Sequence, residues 1–129
     1  DNRAAADLLI APVKNDAKDI SYYINFCGLL TVYRANDIDS VIGVLKSRLD
    51  AGGGDWKGYM LLGISDIYGG DYQDSVQAFK KSAEIVPDEN ITLLAGVVNT
   101  MLSNERFQTE RQEIVNGLMD RQSKIHKGN

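Results

Sequence analysis

The strongest constraint on this 129-residue chain is an internal repeat with a period of 35 residues. Ala35-Asn36-Asp37-Ile38-Asp39-Ser40-Val41 aligns with Gly70-Asp71-Tyr72-Gln73-Asp74-Ser75-Val76. At the same offset Gly28 meets Gly63, Tyr33 meets Tyr68, and Lys46-Ser47 meets Lys81-Ser82. Residues 21–55 and 56–90 thus share seven identities, against roughly two expected from ordinary composition. A further shift of 35 leaves only Gln73/Gln108 and Gln77/Gln112 identical, although Tyr72 still meets Phe107 and Phe79 meets Ile114. A period of this length means stacked supersecondary units, because one unit has more apolar face than it can bury alone. The expected organisation is a single domain over 1–129. It comprises an N-terminal helix or extension (1–20), repeat one (21–55), repeat two (56–90) and a degenerate third repeat or capping helices (91–125).

Each unit reads as two helices. In the second unit Asp55 is placed to cap a helix from Trp56 to about Tyr68, and Gly69-Gly70 ends it, since glycine enters the left-handed region at little cost. Asp71 is expected to cap the next helix, with Asp74 in its first turn favouring the positive end of the helix dipole. Pro87 stops that helix near Val86 by removing a backbone donor. Asp88 is expected to cap a helix from Asn90 to about Leu102, and a last helix runs from about Arg106 to Lys124. In the first unit Asn36 and Asp39 give the entry signal and Ala51-Gly52-Gly53-Gly54 the stop. Apolar residues follow the 3.6-residue period, with Ile38, Val41, Ile42, Leu45 and Leu49 on one stripe and Tyr72, Val76, Phe79, Ala83 and Val86 on another. No strand-like alternation persists, so the expected class is all-α.

The second unit resembles a tetratricopeptide repeat (TPR). Leu62-Gly63, the Gly70-Asp71-Tyr72 turn, Phe79 and Pro87 stand at that motif's spacing, Ser75 and Ser82 take its small positions, and Tyr59 replaces its leading aromatic. Asp66 departs from the pattern, standing where an aromatic is usual. The resemblance covers residues 56–89 best and weakens over 21–55 and again over 91–125. It implies antiparallel helix pairs, six to seven helices in all, stacked as a short right-handed α-solenoid like those of small bacterial TPR domains. The 35-residue pentatricopeptide repeat is a competing pattern. Such arrays read single-stranded RNA, but segment charges of −2 over 1–55, −3 over 56–90 and +1 over 91–129 do not suit backbone tracking.

In a TPR-like array the first helix of each pair lines a concave groove. The face left for that groove comprises Tyr22, Asn25, Phe26, Leu29 and Tyr33 in unit one and Met60, Leu61, Ile64, Ile67 and Tyr68 in unit two, with Ala95, Asn99 and Leu102 in the third. Ile24, Cys27, Gly28 and Thr31, and then Tyr59, Leu62 and Gly63, are expected to pack inside. These first helices are apolar nearly all round, so something must cover them. One reading is a groove for a peptide or helix of a partner protein, with Tyr22, Phe26, Leu29, Tyr33, Met60, Ile64 and Tyr68 as apolar contacts and Asn25 and Asn99 fixing orientation. The alternatives are an N-terminal segment (2–13) folded into the groove, simple burial in a small bundle, or a second copy of the chain as in a homodimer. Lys57 and Arg34 are too few for a clamp on a peptide carboxylate.

Catalytic chemistry has little to work with. The chain has one Cys and one His, which leaves neither a disulfide nor a multi-cysteine zinc site, and Cys27 reads as a small core residue. Gly52-Gly53-Gly54 lacks the following Lys-Ser or Lys-Thr of a phosphate loop. Asp37 and Asp39 do not continue into a calcium loop, because Val41 and Val44 occupy donor places. No catalytic residue, metal ligand or cofactor is expected, and a formal charge of −4 argues against nucleic acid or an anionic membrane as partner. The basic tail Arg121 to Asn129 reads as a frayed helix end, and Glu105, Arg106, Glu110, Arg111 and Glu113 as a solvated face with opposite-charge pairs. Trp56 reads as a packing residue or an anchor at the groove edge. No apolar run approaches the ~20 residues of a spanning helix and no secretory signal is visible, so a soluble protein is expected. Because residue 1 is Asp rather than Met, an address lost upstream leaves cytoplasm and periplasm both open.

Overall fold

The computed structural model describes residues 56–127, together with Ile42, Gly43, Lys46 and Leu49 of an earlier helical stretch. The first repeat and the N-terminal extension otherwise lie outside the described residues, as do the expected cap Asp55, Cys27 and the glycine run. Four α-helices follow: α1 (Trp56–Tyr68), α2 (Tyr72–Ile85), α3 (Ile91–Met101) and α4 (Gln108–Lys127). Short 3-10 turns at Asp88–Asn90 and Glu105–Phe107 precede α3 and α4. The described part is all-α, with α1 packed antiparallel on α2 and α3 on α4; α4 also meets α2.

The turn between α1 and α2 is a glycine C-cap of Schellman form. Gly70 has φ +80°, its N–H donates to the Ile67 carbonyl at 3.1 Å, and the Asp71 N–H donates to the Asp66 carbonyl at 2.8 Å. These bonds satisfy carbonyls the helix would otherwise leave open, and the positive φ is why glycine stands there. Asp71 occupies the N-cap position of α2, but its side chain makes no capping bond; its carbonyl accepts the first bond of the helix, from the Ser75 N–H at 3.0 Å. Asp88 likewise does not cap α3. It opens the 3-10 turn, and its carboxylate accepts from Arg121 at 3.3 Å. Asn104 does act as a side-chain cap, its Oδ1 accepting the Arg106 N–H at 2.9 Å.

The α1–α2 pair closes through small residues. A Cβ on Gly63 would lie 2.9 Å from ring carbons of Phe79, so the ring rests where only glycine leaves room. Two buried hydroxyls bond backbone across the pair: Ser75 Oγ donates to the Gly63 carbonyl and Ser82 Oγ to the Trp56 carbonyl, each at 2.7 Å. The core runs from Leu49 and α1 through Val76 and Phe79 to Ile91, Leu94, Val98, Leu102, Phe107, Ile114 and Leu118. Trp56 belongs to it and is a packing residue.

Candidate functional site

In α1 every residue from Trp56 to Asp66 is buried except the half-buried Tyr59. A helix with apolar side chains on all faces reaches this state only with neighbours on several sides. Besides α2 and α3, those neighbours include earlier helical residues. Leu49 is buried in the shared core, and the Ile42 Cδ1 lies 2.9 Å from where a Cβ of Gly69 would stand. Of the side chains expected to line a groove, Met60 and Ile64 are therefore core residues, 1% and 2% exposed, with Leu61 at 0%. Tyr68 stands at the surface at the end of α1, 37% exposed, and Asn99 is exposed on α3. Tyr22, Asn25, Phe26, Leu29 and Tyr33 lie outside the described residues. Among described groove residues, Met60 and Ile64 come together inside the molecule, while Tyr68 and Asn99 remain on its surface.

The expected inner positions behave differently from one another. Leu62 and Gly63 are buried against α2 as the 35-residue register requires. Tyr59 is half-buried, with the Lys81 ammonium 5.4 Å from its ring centroid. Tyr72, 36% exposed, stacks on Phe107 with centroids 5.3 Å apart, and the Arg106 guanidinium lies 5.8 Å from the Phe107 ring. This aromatic contact ties the start of α2 to the turn before α4.

Three features escape the sequence pattern. Asp66 is 3% exposed, its carboxyl held in the interior near the α1–α2 turn. Burial above all, and then the neighbouring Asp74 and Asp71, push it up from 3.8 to about 7 against an opposing pull from Lys46. Arg121 is an anchor rather than part of a frayed tail, because α4 continues to Lys127. Its guanidinium donates to the Ala83 and Val86 carbonyls, both at 2.9 Å, satisfying the end of α2. Arg111 serves α3 in the same way, donating to the Leu102 carbonyl at 2.9 Å. So this arginine and Arg106 are engaged in packing and capping, not only in a solvated face. Their alternation with glutamates gave no sign of it.

A shallow cleft of about 320 Å³ lies between α2 and α4. Ala83, Ile114 and Leu118 line it together with Lys80, Glu84 and Glu113. Among the described residues no three His, Cys, Asp or Glu side chains are placed to hold a metal ion, and no helix is long and apolar enough to cross a membrane. Comparison with protein families, curated proteins and solved structures returns no match to this chain.

Proposed function

We propose that this chain is a non-catalytic protein-interaction module, a short right-handed α-solenoid of TPR-like helix pairs that holds a peptide or helix of a partner protein. The observation carrying this reading is the closure of α1 on α2 at the repeat's own positions. Gly63 lies against Phe79, and the Ser75 and Ser82 hydroxyls bond backbone of the facing helix. A second antiparallel pair, α3–α4, stands beside the first. Repeated pairs of this kind serve as extended binding surfaces, and an adaptor or chaperone for assembling a secretion, pilus or envelope complex is the role such a small array suits. With Met60 and Ile64 in the core, the anchors offered by the described part reduce to Tyr68 and Asn99. The apolar share falls to Tyr22, Phe26, Leu29 and Tyr33 in the first unit, with Asn25 beside them.

The burial of Met60 and Ile64 also favours a second reading, in which the groove is filled by the chain's own N-terminal segment or by another copy. The discriminating experiment is affinity capture with the intact chain beside the Tyr22→Ala/Tyr68→Ala variant, with far-UV circular dichroism as the folding control. Loss of the same captured protein from a still-helical variant is the expected result. Equal capture by both proteins would remove the groove. Sedimentation over a range of concentrations reads the self-association alternative directly, and a monomer at every concentration excludes pairing of copies.

A further inference from the structure

The pair Asn116-Gly117 lies in α4, and an asparagine followed by glycine occurs nowhere else in the chain. Both residues are exposed, while Ile114 and Leu118 on either side of them are buried in the core. An asparagine side-chain amide is open to attack by the backbone nitrogen of the residue that follows it. Glycine obstructs that approach least, having no side chain, and a Cβ built on Gly117 meets nothing within 4 Å. What stands in the way is the helix. Both residues lie well inside α4 (Gln108–Lys127). There the Gly117 N–H is engaged with the carbonyl four residues earlier, that of Glu113. The helical backbone also keeps ψ of Asn116 near about −42°, which holds the Gly117 nitrogen away from the Asn116 Cγ.

We infer that Asn116-Gly117 is a latent deamidation site, kept silent by folded α4 and converted irreversibly when α4 opens. In the opened chain the Gly117 backbone nitrogen gives up its proton to hydroxide and bonds to Asn116 Cγ. The Cγ–Nδ2 bond breaks, and Nδ2 leaves as ammonia. The resulting five-membered succinimide takes up one water. Cleavage at the Cγ carbonyl leaves aspartate at 116, and cleavage at the main-chain carbonyl leaves isoaspartate, with Cβ now part of the backbone. Water and hydroxide are the only other reactants.

Neither product suits the helix as asparagine does. A carboxylate at 116 stands one turn from Glu113 and one turn from Asp120, both exposed, and like charges at that spacing repel. The extra main-chain carbon of the isoaspartyl form breaks the four-residue hydrogen-bond register of the helix. The modification therefore records that α4 has opened and opposes its closing. It is a property of the fold beyond the proposed binding role and does not depend on what the module binds.

The test incubates the intact chain in mildly alkaline buffer and in a urea series, with trypsin digestion at intervals. The tryptic peptide 112–121, bounded by Arg111 and Arg121, is followed by chromatography and mass spectrometry. The mass gain of an amide turned into an acid counts deamidation, and the separated isomers count isoaspartate. Product should form on the order of tenfold or more slower in native buffer than in concentrated urea. Across the series its rate should follow the loss of the far-UV helical signal. Gly117→Ala, compared with the parent in concentrated urea where folding plays no part, should react on the order of tenfold slower, because a Cβ then obstructs the attack. Equal rates in native buffer and in urea overturn the inference. So does a parent chain that forms no product in urea, or a Gly117→Ala chain that reacts there as fast as the parent.

Discussion

The two helix pairs of the described region share an antiparallel arrangement and differ in how they are held. In α1–α2 the contact is made by small residues, with Gly63 beneath the Phe79 ring and the Ser75 and Ser82 hydroxyls on facing carbonyls. Thirty-five residues on, those positions are Val98, Ile114, Glu110 and Gly117. Val98 and Ile114 are both buried, at 0% and 6%, so a glycine–phenylalanine pair has been replaced by two side chains of middling size. The apolar volume at these two positions is divided more evenly between the helices, an exchange that close-packed interiors tolerate when their neighbours repack. Glu110 supplies no counterpart to the Ser75 bond, and its Oε2 is buried without a partner. An arginine takes over the tie within this pair, Arg111 holding the Leu102 carbonyl, while Arg121 ties α4 across to the end of α2. The lesson is that the repeat signature records one way of packing a helix pair, and the pairing outlives the signature.

The harshest way to break this comparison is to empty the large side of each contact. Phe79 is 0% exposed and rests on a glycine, which has no side chain to move into the space vacated. Phe79→Ala should therefore cost about 4 kcal/mol, toward the upper part of the range for such truncations. Ile114→Ala, made at the corresponding place in the second pair, should cost about 2–3 kcal/mol because Val98 and its neighbours can relax inward. Chemical denaturation of both variants tests the difference. Equal losses would mean that the division of volume between helices has no energetic consequence.

Filling the small side is the complementary test. At Gly63 an added methyl meets rigid aromatic carbons at 2.9 Å, and either the ring or the helix must shift. Gly63→Ala should be destabilising by about 1–3 kcal/mol, despite alanine's better helix propensity. A combined Gly63→Ala/Phe79→Leu variant, which moves the first pair toward the volume division of the second, should recover part of that loss in the same denaturation experiment.

How much of this could be read from the residues alone depends on what each signal reports. Helix ends were legible because they rest on backbone chemistry: Gly70 and Pro87 bound α2 close to Tyr72–Ile85, and α1 spans the expected residues. Asp71 stands at the N-cap position of α2, yet without the side-chain bond expected of it, and Asp88 opens the 3-10 turn and pairs with Arg121 instead of capping α3: a residue type marks a helix start more surely than it fixes the partner of its carboxylate. The groove was the least legible feature. Periodicity says that Met60 and Ile64 are apolar, and an open trough and a buried interface demand the same residues there. Only the neighbours decide, and these include Leu49 from a separate stretch of chain. Asp66 was visible as a departure from the repeat, but a mismatch does not say whether the new side chain points to water or, as here, is 3% exposed.

The mildest test concerns Gly117, which holds the place of Ser82 in the second pair. It lies inside α4, is exposed, and lines the cleft between α2 and α4. A Cβ built there meets nothing within 4 Å, so the close approach that excludes alanine at Gly63 is missing. What remains is the backbone entropy glycine loses on entering a helix. Gly117→Ala should therefore stabilise the chain by about 0.5–1 kcal/mol, the opposite sign from Gly63→Ala for the same chemical change. A rise in the denaturation midpoint with an unchanged slope is the expected reading. A fall would mean that α2 and α4 approach more closely in solution than this cleft allows, and the second pair would then depend on a small residue as the first one does.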